Sequence, residues 1–272
     1  MTGLEELAAI ARSVAIRAGR LVLDADRARP SRADLVDQST RKSSATDLAT
    51  ATDREAERFI VEQLRALRPE DAILGEEGAR DEGATGLTWL VDPIDGTTNF
   101  VYAFPAWTVS VAVSDDQGPL AGAVFEPVRD ECFVAMRGGG STLNGKSLGP
   151  LIPSPLSEAL VATGFSYSSE LRAQQARLLP VVLQRVRDMR RAGAASLDCC
   201  YVGAGRVDAY YEAALKPWDT AAGGLVAREA GAESRVVEGL LAGEETLVLA
   251  PEPLLSEFVE LLFEATRALS VR

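Results

Sequence analysis

The strongest constraint on the fold is a change of texture around three closely spaced prolines, Pro150, Pro153 and Pro155. Before them, five short apolar runs follow one another: Ala72–Leu74, Thr88–Val91, Thr108–Val113, Leu120–Phe125 and Glu131–Met136, with Gly, Pro and Asp between them. Runs of this length bounded by turn residues predict strands. Two amphipathic helices precede them. Leu4, Leu7, Ala8, Ala11, Val14, Ala15, Ala18, Leu21 and Val22 make one stripe over residues 4–26. After a polar loop, Arg29 to Thr46, a second stripe of Ala56, Phe59, Ile60, Leu64 and Leu67 opens with Thr52 and Glu55 as its expected capping box and stops at Pro69. The first half therefore predicts two helices on an antiparallel sheet.

Beyond the prolines, strands and helices alternate. The pattern predicts strands over Ala159–Thr163, Asp208–Tyr211 and Thr246–Ala250, and helices over Ser169–Val186, Ala194–Gly203, Trp218–Ala230 and Leu254–Leu269. Such alternation defines an α/β half. The expected division is an N-terminal α+β half, 1–150, and a C-terminal α/β half, 151–272. The proline stretch is too short for a flexible linker, so the halves are expected to pack together rigidly.

Composition excludes several chemistries. The 272 residues contain no histidine, which removes Ser-His-Asp triads, HExxH zinc sites and imidazole acid/base catalysis. With 28 Lys+Arg against 40 Asp+Glu the net charge is −12, unfavourable for direct contact with nucleic acid or anionic lipid and favourable for cations. The three cysteines, Cys132, Cys199 and Cys200, give no disulfide framework, and a reducing, cytoplasmic setting is expected. No stretch approaches the ~18 apolar residues of a membrane span.

Two motif matches fail on context. Gly140 to Ser147 fits the phosphate-loop pattern GxxxxGK[ST], but the prolines that follow forbid the required helix, and Asn144-Gly145 predicts a hairpin instead. Cys200 to Arg206 has the Cys-x5-Arg spacing of cysteine phosphatases. Its cysteine, however, lies in an apolar stretch, Leu197 to Val202, where a thiol is a small buried hydrophobe.

The chemistry-bearing residues are acids near strand ends: Asp53, Glu76-Glu77, Asp92, Asp95 and Asp219. Asp92 and Asp95 directly end an apolar strand, with Pro93 holding the turn, so two carboxylates and the Ile94 carbonyl converge. Oxygens at that density repel unless a divalent cation lies among them, and Mg²⁺ takes oxygen ligands. Glu76 is placed to join. Gly96-Thr97-Thr98-Asn99 then opens a short helix whose unpaired N–H groups suit a phosphate. Cation and anion seats side by side point to metal-assisted hydrolysis of a phosphate ester, a mechanism that needs no histidine.

Three strings, Gly75-Glu76-Glu77, Trp89 to Phe100 (WLVDPIDGTTNF) and Lys216 to Gly223 (KPWDTAAG), resemble the acidic dipeptide and two signature motifs of the inositol monophosphatase family. Lys42 to Asp53 and Asp208 to Glu212 resemble two further segments, so the likeness spans nearly the whole chain. The resemblance implies a layered α/β/α/β/α sandwich and two or three Mg²⁺ per active site. It implies a first ion held by Glu76, Asp92 and the Ile94 carbonyl, and a second by Asp92, Asp95 and Asp219. Thr97, hydrogen-bonded to Asp53 and assisted by Glu76, would activate water. Lys42 and the backbone of Gly96 and Thr97 would meet the phosphate, and Asp95, the Ala195 backbone, Glu212 and Asp219 the substrate hydroxyls. A homodimer and lithium sensitivity are implied as well. Tyr102 and Lys216-Pro217 stand where many relatives carry histidine, which bears on the leaving group. The implied substrate is myo-inositol 1-phosphate, with histidinol phosphate, fructose 1,6-bisphosphate and 3′-phosphoadenosine nucleotides open on the same site. A non-catalytic protein-binding role is a separate alternative.

Overall fold

A computed structural model describes residues 3–28, 40–41, 48–241 and 243–270. Helix α1 (Gly3–Ala28) is followed by a two-stranded ribbon, β1 (Thr40–Arg41) and β2 (Leu48–Ala49), and by α2 (Ala51–Leu67). Strands β3 (Ala72–Gly75), β4 (Arg80–Asp81), β5 (Thr88–Asp95), β6 (Thr108–Asp115), β7 (Gly118–Glu126), β8 (Glu131–Met136), β9 (Gly140–Leu143) and β10 (Lys146–Ser147) form one sheet in the order β10-β9-β8-β7-β6-β5-β3-β4. A short helix, α3 (Thr97–Val101), interrupts them after β5. The sheet is antiparallel as expected except where β3 runs parallel to β5, because the chain turns back through β4 and residues 82–87 before it enters β5.

The second sheet, ordered β12-β11-β13-β15-β14, takes β11 (Leu160–Thr163), β12 (Asp188–Arg190), β13 (Ala209–Ala213), β14 (Glu233–Leu241) and β15 (Glu244–Ala250). Its helices are α4 (Ser169–Val182), α5 (Ala195–Gly203), α6 (Pro217–Glu229) and α7 (Leu254–Ser270).

Strand alternation sorts these elements into five layers. On the first sheet Trp89, Val91, Val109 and Val111 share a core with Ala11, Val14 and Ala18 of α1 and Ile60 and Leu64 of α2. The opposite face, with Leu90, Ala112, Val124 and Phe133, packs on Leu197 and Cys200 of α5 and Ala222, Leu225 and Val226 of α6. Those two helices also cover Ala162, Tyr210 and Leu249 of the second sheet through Cys199, Val202 and Ala227. Val161, Tyr211 and Val248 on its far face meet Leu178 of α4 and Phe258 of α7. The order is helices, sheet, helices, sheet, helices. Within the middle layer α5 and α6 touch closely: a Cβ on Gly223 would stand 2.4 Å from the Ser196 carbonyl oxygen.

Several local expectations shift. The α2 capping box is Thr50 with Asp53, not Thr52 with Glu55, because Thr50 is the residue with extended backbone and its hydroxyl accepts the Asp53 N–H. Helix α4 ends at Val182, before the expected Val186, and Asp188–Arg190 becomes an edge strand parallel to β11. Strand β14 was not anticipated; most of its side chains are exposed, so it lacks the apolar alternation that marks a strand. Residues 140–147 form the expected hairpin, Leu143 pairing with Lys146 across Asn144 and Gly145 at φ 49° and 79°.

Candidate active site

The site begins with an irregularity in β5. Asp92 pairs with Ser110 and Asp95 with Thr108, so three steps on β5 oppose two on β6 and one residue bulges out. Pro93, which has no N–H to give to a ladder, lies within the bulge, and the Ile94 N–H donates to Asp92 Oδ1 at 3.0 Å. The bulge brings Asp92, Ile94 and Asp95 onto one cavity.

Gly96 then turns the chain at φ 91°, and a Cβ there would lie 3.1 Å from the Ala106 carbonyl and 3.2 Å from that of Gly193. Glycine answers both the conformation and the crowding. In the helix that follows, the Asn99 side-chain amide donates to the carbonyls of Ala106 at 2.6 Å and Ala192 at 2.8 Å, pinning the segment before α5 to this turn. The Thr97 hydroxyl lies 3.0 Å from the Ile94 carbonyl and 3.1 Å from Asp53 Oδ1.

Glu76 follows β3, and its turn is held by a residue that the sequence reading missed. Buried Glu57 accepts the N–H groups of Glu77 at 2.8 Å and Ala79 at 2.9 Å, and Gly75 leaves room for that carboxylate. The available signal was spacing: Asp53 and Glu57 are four apart on α2 and so share a face. From the other half, the α5 N-terminus comes to Asp95, with Ala195 N–H on Oδ1 at 3.0 Å and Ser196 N–H on Oδ2 at 2.7 Å. Asp219, in the first turn of α6, accepts the Lys216 N–H at 2.6 Å.

One cavity of about 420 Å³ is lined by Glu76, Asp92, Ile94, Asp95, Gly96, Thr97, Ala195, Glu212 and Asp219, together with Phe165, Tyr167, Arg191, Lys216 and Trp218. Asp53 lies behind Thr97 and does not line it. Lys42 falls outside the described residues. Arg191 and the aromatic wall were not anticipated, because they enter from loops with no local signature.

Electrostatics mark the cavity as a place for positive charge. Burial, then repulsion from Glu76, Asp95 and Asp219, pushes the Asp92 carboxyl well above the carboxylate range. Burial likewise raises Asp95, against the opposing hydrogen bonds from Ser196 and Ala195, and raises Asp219, against that from Lys216. Glu212 is pushed up to about 7 by burial, opposed by the Tyr210 hydroxyl, which donates to Oε2 at 2.7 Å. Such carboxylates need protons or a cation to coexist. An all-oxygen set suits a hard divalent ion such as Mg²⁺. Among the described residues, no three acidic or thiol side chains are already grouped to hold an ion, so the fit lies in the donor chemistry and the shared cavity. The thiols offer nothing comparable: burial pushes Cys199 and Cys200 well above the ordinary thiol range.

Comparisons with known proteins agree with this picture. The profile described as the inositol monophosphatase family matches residues 3–268. An inositol-1-monophosphatase of Mycobacterium bovis is 42% identical over 221 residues, covering 78% of this chain and 76% of that protein. The protein named Nus factor SuhB in Vibrio cholerae is 42% identical over 197 residues, covering 72% and 73%. The crystal structure of the extragenic suppressor protein SuhB from Bartonella henselae superposes with a TM-score of 0.84 at 29% identity, covering 94% of this chain and 98% of that one. The layered α/β fold and the family match thus define a protein of the phosphatase class. The chain belongs to the inositol monophosphatase family. Among the described residues, no helix is long and apolar enough to cross a membrane.

Proposed function

We propose that this chain is a Mg²⁺-dependent phosphomonoesterase whose preferred substrate is myo-inositol 1-phosphate. The observation that carries the reading is the convergence of Glu76, Asp92, Asp95 and Asp219, from both halves of the chain, on one cavity beside the Gly96 turn and the Thr97 hydroxyl. On this reading Glu76, Asp92 and the Ile94 carbonyl hold a first ion, and Asp92, Asp95 and Asp219 a second, with two or three ions in all. When bound, Mg²⁺ supplies an acidified water and a counter-charge for the leaving oxygen.

The protein's own groups do the rest. Thr97, held by Asp53, orients the attacking water, and Glu76 helps to take its proton. The new P–O bond forms in line as the ester P–O bond breaks, and the proton taken from the attacking water is returned to the departing alkoxide. Backbone N–H groups of Gly96 and Thr97 hold the phosphoryl oxygens. Glu212 and Asp219 accept hydrogen bonds from ring hydroxyls, and Asp95 and Ala195 bound the ring where β5 meets the start of α5. The three cysteines are free and buried, which supports a reducing, cytoplasmic setting. Exposed Tyr102, Phe104 and Val128 favour a homodimer. Lithium sensitivity belongs to the same reading.

The test is phosphate release with and without Mg²⁺ from inositol 1-phosphate beside histidinol phosphate, fructose 1,6-bisphosphate and 3′-phosphoadenosine 5′-phosphate. The bisphosphate belongs in the panel because Arg191 and Lys216 line the cavity. The highest kcat/KM on inositol 1-phosphate, lost without Mg²⁺, is the expected outcome; preference for another ester would reassign the substrate and keep the metal site.

A second reading, a protein-binding role, is favoured by the name of the Vibrio cholerae relative. A charge of −12 suits a basic protein surface. No release from any ester would bring this reading forward.

A further inference from the structure

We propose that Ser196, backed by Thr108, is a positioning residue that fixes which oxygen of Asp95 faces the cation site; this rests on the metal reading above. Asp95, Ser196 and Thr108 are buried together where β5, β6 and α5 meet, with Ser196 and Thr108 at 0% exposure. Thr108 is the strand partner of Asp95, whereas Ser196 is 101 residues away and arrives at the start of α5.

The hydrogen bonds have one consistent direction. The Ser196 hydroxyl lies 2.6 Å from Asp95 Oδ2, and the Thr108 hydroxyl lies 2.8 Å from that of Ser196. An ionised carboxylate only accepts, so Ser196 donates to Asp95 and accepts in turn from Thr108. Oδ2 also receives the Ser196 N–H at 2.7 Å and lies 3.5 Å from the Thr108 hydroxyl, which leaves it no open direction. Oδ1 receives one bond, from the Ala195 N–H at 3.0 Å, and keeps one direction open. Asp95 is thereby held in its torsion, and Oδ1 is the oxygen left with capacity for a ligand in the cavity that Asp95 lines. Neither Ser196 nor Thr108 lines the cavity, so both act through Asp95. A ligand held from behind needs no reorganisation when the ion arrives, and such supports typically govern metal affinity.

The experiment compares the full-length wild type with Ser196→Ala, Thr108→Val and Thr108→Ser by calorimetric Mg²⁺ titration, with phosphate release against Mg²⁺ concentration and melting in EDTA alongside. Ser196→Ala is expected to weaken Mg²⁺ binding about tenfold, with kcat largely recovered at saturating Mg²⁺. Thr108→Val should show a smaller loss in the same direction, and Thr108→Ser, which keeps the hydroxyl, should match the wild type. If Ser196→Ala fails to fold, the Thr108 pair decides. Wild-type Mg²⁺ affinity in both Ser196→Ala and Thr108→Val would overturn the proposal alone. So would equal losses in Thr108→Val and Thr108→Ser, which would assign the effect to packing. Absence of Mg²⁺ binding by the wild type would overturn the metal reading and this proposal with it.

Discussion

The Thr97 hydroxyl lies 3.1 Å from Asp53 Oδ1, across 44 positions of sequence, and the other oxygen of that carboxylate takes the Thr50 N–H at 2.8 Å. One buried acid therefore caps α2 and holds a side chain on the cavity wall. The two duties separate by mutation. Thr97→Val keeps the cap and is expected to lower kcat at least about 100-fold, the scale of a lost acid/base partner, with little change in Tm. Asp53→Ala should lower kcat and also cost about 1 kcal/mol or more of stability through the lost cap. Steady-state kinetics paired with thermal melts reads both; near wild-type turnover in Thr97→Val would remove Thr97 from the reaction.

The crowded carboxylates predict an inverse relation between stability and ionisation in chelated protein. Burial and like charges raise the folded-state pKa of Asp92, so its favourable contribution is complete below the unfolded value of about 3.9 and is lost as pH rises through the folded value. In EDTA, Tm should fall as pH rises from about 4 towards 8. Asp92→Asn, which cannot ionise, should flatten that fall and melt higher than wild type at neutral pH while losing phosphate release. Mg²⁺ should raise Tm in the wild type by more than in the variant. A lower Tm for Asp92→Asn in EDTA at neutral pH would contradict the assignment of repulsion.

Glu212 has its pKa pushed up to about 7, and in the proposed role it must ionise to accept a substrate hydroxyl with full strength. The sign follows: kcat/KM should climb as pH rises through neutrality. Glu212→Gln should remove that limb and raise KM about tenfold, with a smaller change in kcat. A pH profile of the variant superimposable on that of the wild type would place the limb elsewhere.

The hairpin at Asn144-Gly145 gives a negative control. Lys146 is exposed beside the turn and outside the acidic cavity. Lys146→Ala should leave phosphate release near the wild-type rate; a large loss would reopen the phosphate-loop interpretation.

Local signals and long-range ones were not equally legible in the sequence. Asp92-Pro93-Ile94-Asp95 at the end of an apolar run announced both the strand and its acids, because bulge, proline and carboxylates are neighbours in the chain. Periodicity announced α1, α2 and most strands, but their stacking into layers was legible only through the family resemblance. The α2 cap was misplaced by two residues since Thr50 and Thr52 both suit the role, and backbone conformation chose between them. Strand β14 was invisible because an edge strand with solvated side chains has no apolar alternation. Glu57 offered only its four-residue spacing from Asp53, and Asn99 on Ala192 and Ser196 on Asp95 offered no local signature; such contacts join segments 20 or more residues apart, and only the completed packing brings them together.

Helices α5 and α6 lie between the two sheets, and each brings its first turn to the acids of β5. A ligand at that seam ties together elements that already share the α5 and α6 core. Saturation there should raise the melting of both sheets together, and withdrawing the ligand should lower both. The cleft is then also the joint through which one half senses whether the other is folded.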